Sequence, residues 1–146
     1  LRYTVLRYPN VYGPRQSPSG EAGVCSILTG IMLKGQVPTL YGFGDAERDY
    51  VFVGDVCRAN VIALEKGDNE IINLGWGKGI KVREVFDALA DIIGFQEQPK
   101  LAPLRAGEIE RCFISGQHAH DILGWEPKTT LREGLAQVVE FVKKTQ

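Results

Sequence analysis

The sequence predicts an α/β fold, and three observations carry that expectation. Short runs of β-branched and aromatic residues recur along the chain, such as Thr4-Val5-Leu6-Arg7-Tyr8 and Tyr50-Val51-Phe52-Val53. Between them lie longer stretches whose apolar residues repeat at helical spacing, most clearly Val82, Val85, Phe86, Leu89, Ile92 and Ile93. Glycine, proline, asparagine and aspartate gather at the joints. With 146 residues, 44% of them hydrophobic and 24% charged, the composition is that of an ordinary globular protein. A chain of this length buries about 70% of its unfolded surface, enough for one sizeable core. No repeat, low-complexity run or interdomain linker divides it.

The elements follow in order. Thr4 to Tyr8 reads as a strand that would sit in a large parallel sheet, buried on both faces. Residues 10–20 hold Asn, Pro, Gly and Ser and read as a loop. Glu21 to Lys34 reads as a helix with Val24, Ile27, Leu28 and Ile31 on its inner face. Thr39-Leu40-Tyr41 is a short strand, Gly42 to Asp45 a turn, and Tyr50 to Val53 extended. Asp55 is placed to cap the apolar helix from Val56 to Leu64, with Arg58 on its outer surface. Ile71 to Leu74 reads as a buried strand, and the stripe from Val82 to Ile93 as a helix ended by Gly94. Ser115 caps a short helix ending at Leu123-Gly124. Thr130 and Glu133 have the spacing of a capping box, with Leu131, Leu135, Val138, Val139 and Val142 as the stripe behind it.

Charge and composition exclude several functions. A net charge of −1 gives no field that would favour nucleic acid or an anionic membrane. No apolar run approaches the roughly 20 residues that span a bilayer, and no signal peptide is visible. Cys25, Cys57 and Cys112 are odd in number and form no Cys-x-x-Cys, as expected of free thiols in a cytoplasmic protein. His118 and His120 lack a third ligand at suitable spacing and read as a solvated helical pair, with no metal site.

The polar residues at strand ends carry more information than the apolar frame. In open α/β sheets, ligands bind beyond the carboxyl ends of the strands. Asn10 follows the first strand, where Tyr8, Asn10 and Arg15 could face one cleft, and Asn73 ends a later strand. Arg48, Arg105 and Glu108 lie in or beside loops. Two guanidiniums and an amide suit a diphosphate, because a guanidinium offers paired donors to phosphate oxygens. A carboxylate accepts from ribose hydroxyls. Each residue also has a plain structural reading: core packing for Tyr41 and Tyr50, capping or turn formation for Asp49 and Asp55.

The motifs, taken in order, resemble the extended short-chain dehydrogenase/reductase family, the NAD-dependent epimerases and dehydratases of nucleotide sugars. Leu6 to Gln16 is similar to that family's strand-to-loop run, with Pro9 where Phe is usual. Pro38 to Gly44, followed by Arg48-Asp49-Tyr50-Val51-Phe52-Val53-Gly54-Asp55-Val56, resembles its nucleotide-binding segment. Ile72-Asn73-Leu74-Gly75 with Gly77, then Pro103, Arg105, Gly107 and Glu108, match its next two elements. Leu123 to Pro127 and Leu131 to Leu135 resemble its C-terminal signature. The similarity covers nearly the whole chain, and 4-epimerases of UDP-hexoses fit best.

The resemblance implies roles. Asn10, Arg48 and Arg105 would hold the diphosphate of a UDP-sugar, and Glu108 its ribose hydroxyls. Tyr41 would lie against the base, whose edge the backbone of Thr39 reads. Val24 and Cys25 would begin a helix lining the nucleotide pocket. Tyr8 and Pro9 would approach the nicotinamide end of NAD. Cys112 would face the substituent at C2 of the sugar, where a residue smaller than Tyr leaves room for an N-acetyl group.

Two pieces of the family pattern are missing from the sequence: a Gly-x-x-Gly-x-x-Gly fingerprint for pyrophosphate and a Tyr-x-x-x-Lys acid–base pair. In the family the Leu6 to Gln16 run lies past the middle of the chain, and this chain opens at Leu1 without Met. The expectation is that residues 1–146 form the sugar-nucleotide-binding C-terminal region of an extended Rossmann-type enzyme, with the dinucleotide-binding half absent. Such a piece would be inactive alone and would self-associate, or pair as a homodimer. Lys81, where Ser or Thr is usual, would start its helix weakly. The same motifs fit a nucleotide-sugar dehydratase or decarboxylase. A non-catalytic nucleotide-sugar binding module and a fragment without ligand are readings of other classes.

Overall fold

The computed structural model describes residues 1–17 and 23–145. In chain order its elements are β1 (Thr4–Arg7), β2 (Asn10–Tyr12), α1 (Val24–Leu33), β3 (Thr39–Tyr41), β4 (Glu47–Arg48), β5 (Tyr50–Phe52), α2 (Val53–Ile62), β6 (Glu70–Asn73), β7 (Ile80–Lys81), α3 (Val82–Ile93), β8 (Lys100–Ala102), β9 (Arg111–Cys112), α4 (Gln117–Leu123) and α5 (Leu131–Thr145). The α/β class expected from the sequence is the one observed.

Among the described residues the strands form four small sheets. Three are parallel pairs: β1 with β6, β2 with β5, and β3 with β8. In the fourth, β4 lies antiparallel to β7 on one side and parallel to β9 on the other. Parallel pairing needs long crossovers, and the intervening helices supply them.

Two apolar clusters fill the molecule, and β5 is the wall between them. Tyr50 and Phe52 face a cluster built with Leu28 and Met32 of α1, Val85, Phe86 and Leu89 of α3, and Leu135, Val138 and Val139 of α5. Val51 faces the other way, onto Val56 and Ala59 of α2, Ile72 of β6, and Ala119, Leu123 and Trp125. All three residues of β5 are buried, so the period-two alternation of a strand serves both cores at once.

Helix ends follow elementary chemistry. Gly94 closes α3 at φ +79°, a left-handed conformation that glycine takes without a Cβ penalty. Thr130 and Glu133 make the expected reciprocal box: Thr130 N–H donates to Glu133 Oε2 at 2.9 Å, and Glu133 N–H to Thr130 Oγ1 at 3.4 Å. Lys81 provides no side-chain acceptor, yet its N–H donates to Glu84 Oε1 at 2.8 Å, so half the box remains. Ser115 stands one residue before the cap of α4, and its Oγ still accepts from Gln117 N–H at 3.2 Å.

The structure corrects several local expectations. Residues 10–12, expected as loop, form β2, because Asn10 pairs with Tyr50 and Tyr12 with Phe52. The inner face of α1 is Cys25, Leu28, Thr29 and Met32, with Val24, Ile27 and Ile31 half-buried beside it. The expected start of that helix at Glu21 lies outside the described residues. Ile71 of β6 is 50% exposed and Val5 of β1 43% exposed, so this pair is not buried on both faces.

Asp55 is the largest local correction. The helix begins at Val53, and Asp55 sits inside its first turn. Its buried carboxylate instead accepts Lys128 N–H at 3.0 Å and Thr129 N–H at 2.9 Å, tying the segment before α5 to α2. Arg58 Nη1 pairs with the same carboxylate at 2.7 Å and is therefore not a free surface group. Trp125 Nε1 donates to the Asp55 carbonyl at 2.9 Å. Among the described residues, no helix is long and apolar enough to cross a membrane.

Asp55→Ala would strand the part-buried amides of Lys128 and Thr129 and the Arg58 guanidinium. A loss of about 3 kcal/mol in unfolding free energy is expected, measured by urea denaturation followed by tryptophan fluorescence. An unchanged midpoint would show that this anchor contributes nothing.

Candidate functional site

The site is assembled from the ends of several short strands and the start of a helix. Asn10 opens β2, Thr39 and Tyr41 belong to β3, Arg48 ends β4 and Val24 begins α1. Glu108 lies in the turn before β9, where Arg105 N–H meets Glu108 Oε2 at 3.4 Å. Side chains from these five segments line one cavity of about 290 Å³. The β2–β5 register brings Asn10 level with Tyr50, two residues past Arg48, and this puts the amide and the guanidinium on one wall.

Arg105 joins the site from outside the cavity wall. Its guanidinium carbon lies 3.6 Å from the centre of the Tyr41 ring, a cation–π stack on an exposed face. Arg48 is held by Nη1 donating to the Glu47 carbonyl at 2.9 Å. The cleft thus carries two cations, one carboxylate, one amide and one aromatic face. That set can pair with a dianion, accept from hydroxyls and stack a planar ring.

Two further expected residues do not line this cavity. Cys112 is exposed and is the cross-strand partner of Arg48, so the two share a sheet face. Cys25 is buried, and burial pushes its thiol up to about 12, leaving it protonated and inert. Together with Pro9 it lines an adjoining cavity of about 240 Å³. Tyr8 is not brought here. Its hydroxyl donates to Asn60 Oδ1 at 3.0 Å, in a separate cleft beside Leu1 and Asp68. The reason is again strand geometry: Tyr8 and Asn10 flank a bend between β1 and β2, which pair with different strands. Arg15 is exposed at φ +70° and lines neither cavity.

Sequence reasoning treated Asp49 as a turn residue, and its role is larger. The side chain is fully buried and accepts from Trp76 N–H at 3.2 Å, Gly77 N–H at 3.2 Å and Ile114 N–H at 3.4 Å. Its own N–H donates to the Cys112 carbonyl at 3.1 Å. One carboxylate therefore fastens the loops after β6 and β9 to the strand that presents Arg48. Gly75 makes room for it, since a Cβ there would stand 2.1 Å from the Ile114 carbonyl and 2.6 Å from Asp49 Oδ2. Gly75 and Gly77 after a strand were the available signal.

His118 and His120 lie exposed on α4, and His118 Nε2 contacts Glu70 Oε2 at 3.0 Å. Among the described residues, no group of three or more His, Cys, Asp or Glu is placed to hold a metal ion. The three cysteines are free thiols.

Comparison with known proteins shows the family and the fold. The profile of the NAD dependent epimerase/dehydratase family matches residues 1–75. The chain is 46% identical over 143 residues to a putative UDP-glucose 4-epimerase of Methanocaldococcus jannaschii, covering 98% of this chain and 46% of that protein. The UDP-glucose 4-epimerase of Thermotoga maritima, solved with UDP-glucose, superposes with a TM-score of 0.95 at 50% identity, over 99% of this chain and 47% of its own. The UDP-glucose 4-epimerase of Thermus thermophilus, solved with NAD, superposes with a TM-score of 0.86 at 41% identity, over 100% of this chain and 48% of its own. The chain spans about half the length of the relatives it matches.

Burial holds the Asp49 carboxyl above the ordinary carboxylate range, against the pull of its three amide donors. The folded chain then binds that proton more readily than the unfolded chain. This group's contribution to stability is present at low pH and is lost as pH rises through the folded-state value. Asp49→Asn should flatten the pH dependence of the denaturation midpoint between neutrality and about pH 4. The same slope in both proteins would remove Asp49 as its source.

Proposed function

The chain belongs to the NAD-dependent epimerase/dehydratase family, and from that premise we propose that residues 1–146 are the nucleotide-sugar-binding C-terminal part of an NAD-dependent 4-epimerase acting on UDP-hexoses. One observation carries the reading: Asn10, Val24, Thr39, Tyr41, Arg48 and Glu108 line a single cavity although they come from five segments of the chain. Arg105 stacks at its mouth on Tyr41. A random scatter of surface cations would not converge so.

In this reading Tyr41 and the backbone of Thr39 take the base, Glu108 accepts from the ribose, and Arg48, Arg105 and Asn10 neutralise and orient the diphosphate. These residues fix the nucleotide and leave the sugar free to present either face to the chemistry. NAD would supply a reversible acceptor for hydride at C4 of the sugar. The sequence carries no Gly-x-x-Gly-x-x-Gly fingerprint for a dinucleotide. NAD binding is therefore assigned to the complete enzyme, with Tyr8 and Pro9 as the contacts this region would offer near the nicotinamide. The exposed apolar face of Val5 and Ile71 and the free edge of β1 suit further strands of a larger sheet. On its own the region would hide that face by self-association.

In the full-length protein, Arg105→Ala and Arg48→Ala should each weaken UDP binding by about 2 kcal/mol, by leaving phosphate charge unpaired. Lys143→Ala, on the exposed end of α5, serves as the control. Isothermal titration with UDP gives the answer, and equal affinities for wild type and both variants would sink the assignment. Cys112→Tyr tests the sugar end. It should depress kcat/KM for UDP-N-acetylglucosamine more than for UDP-glucose, because added bulk acts on the difference between the substrates. Equal losses would show that Cys112 does not gate that substituent.

A further inference from the structure

We propose that Arg105 is a gate on the nucleotide cleft: its guanidinium rests on the Tyr41 face that a base takes, and leaves it for the diphosphate when a nucleotide enters; this rests on the nucleotide-sugar reading above. One guanidinium cannot serve in two places. The Arg105 guanidinium carbon lies 3.6 Å from the centre of the Tyr41 ring, within stacking distance. Tyr41 lines the cavity of about 290 Å³ together with Asn10, Arg48 and Glu108, and Arg105 does not. To meet a phosphate held by Asn10 and Arg48, the Arg105 guanidinium must come off the ring.

Its present position is held by the ring alone. Among the described residues, the guanidinium enters no ion pair or hydrogen bond. Glu108, three residues on, is engaged with the Arg105 backbone instead. Arg105 N–H donates to Glu108 Oε2 at 3.4 Å, and Glu108 N–H donates to the Arg105 carbonyl at 3.1 Å. These bonds close a turn that Gly107 permits at φ +82°. The segment is anchored at both ends, since Ala102 pairs with Tyr41 and Arg111 with Glu47. The turn can therefore stay in place while the exposed Arg105 side chain rotates between ring and cleft.

The contact has a consequence for selectivity. An exposed cation–π stack shifts an equilibrium about two- to fivefold. A base alone must displace the guanidinium from the ring, and a phosphate alone must draw it away. Each breaks the stack and satisfies one of the two partners. A nucleoside diphosphate breaks it once and satisfies both. The gate thus favours base and diphosphate joined in one ligand over either part.

The test uses the full-length protein and two partial ligands. Uridine carries the base without charge, so its affinity does not report the loss of a cation. Arg105→Ala should bind uridine about threefold more tightly than wild type, while binding UDP more weakly. Inorganic pyrophosphate is the reciprocal probe. Tyr41→Leu removes the resting place and keeps Arg105, and should bind pyrophosphate about threefold more tightly. Ligand-observed NMR titration reads these affinities. Tighter uridine binding on deletion of Arg105 is a result that a purely attractive arginine does not give. Uridine affinity unchanged or reduced in Arg105→Ala would overturn the gate, as would unchanged or weaker pyrophosphate binding by Tyr41→Leu. A wild-type protein that did not bind UDP would instead overturn the nucleotide-sugar reading beneath it.

Discussion

The structure depends on the alternation of one short run, Glu47 to Phe52. Arg48 turns to the cleft, Asp49 to the amides of two loops, Tyr50 to one apolar cluster and Val51 to the other. Each direction is set by the two-residue period of extended backbone. Shifting the register of β5 against β2 by one residue would send Val51 to the wrong core and withdraw Tyr50 from the cavities. Position and function are thus set by the same backbone torsions.

Local signals were legible where local chemistry decides. The stripe of α3, the glycine that ends it, and the Thr130–Glu133 box all involve residues within one or two helical turns. The polar residues of the site were legible because Asn10, Arg48 and Glu108 sit at strand ends or in turns, where an apolar frame has no use for them. What escaped depends on partners far along the chain. Asn10-Val11-Tyr12 reads as loop until β5 is there to pair with it, some 40 residues on. The inner face of α1 is ambiguous from sequence because nearly every residue from Val24 to Leu33 is apolar or small. Tyr8 was grouped with Asn10 by proximity in sequence, and the bend between β1 and β2 separates them.

Buried carboxylates do in this chain what longer strands do elsewhere. The sheets have two or three strands each, too few for ladder bonds alone to bind the whole. Asp49 and Asp55 each collect backbone amides from distant loops, and both lie on or beside the strand-to-helix passage from β4 to α2. The cleft stands above this junction. Of its cations Arg105 is exposed and Arg48 half-buried, and the strand presenting Arg48 is fastened by the neighbouring Asp49.

Tyr12 and Gly134 carry a different kind of consequence. The Tyr12 hydroxyl reaches the carbonyls of Thr130 and Leu131 at 3.4 Å each, and a Cβ at position 134 would stand 2.2 Å from that oxygen. The ring occupies the space that any side chain at 134 would need. The two positions, more than a hundred residues apart, divide a single fixed volume between them. A side chain at position 134 therefore requires a smaller residue at 12, and the two substitutions are expected to be non-additive in stability.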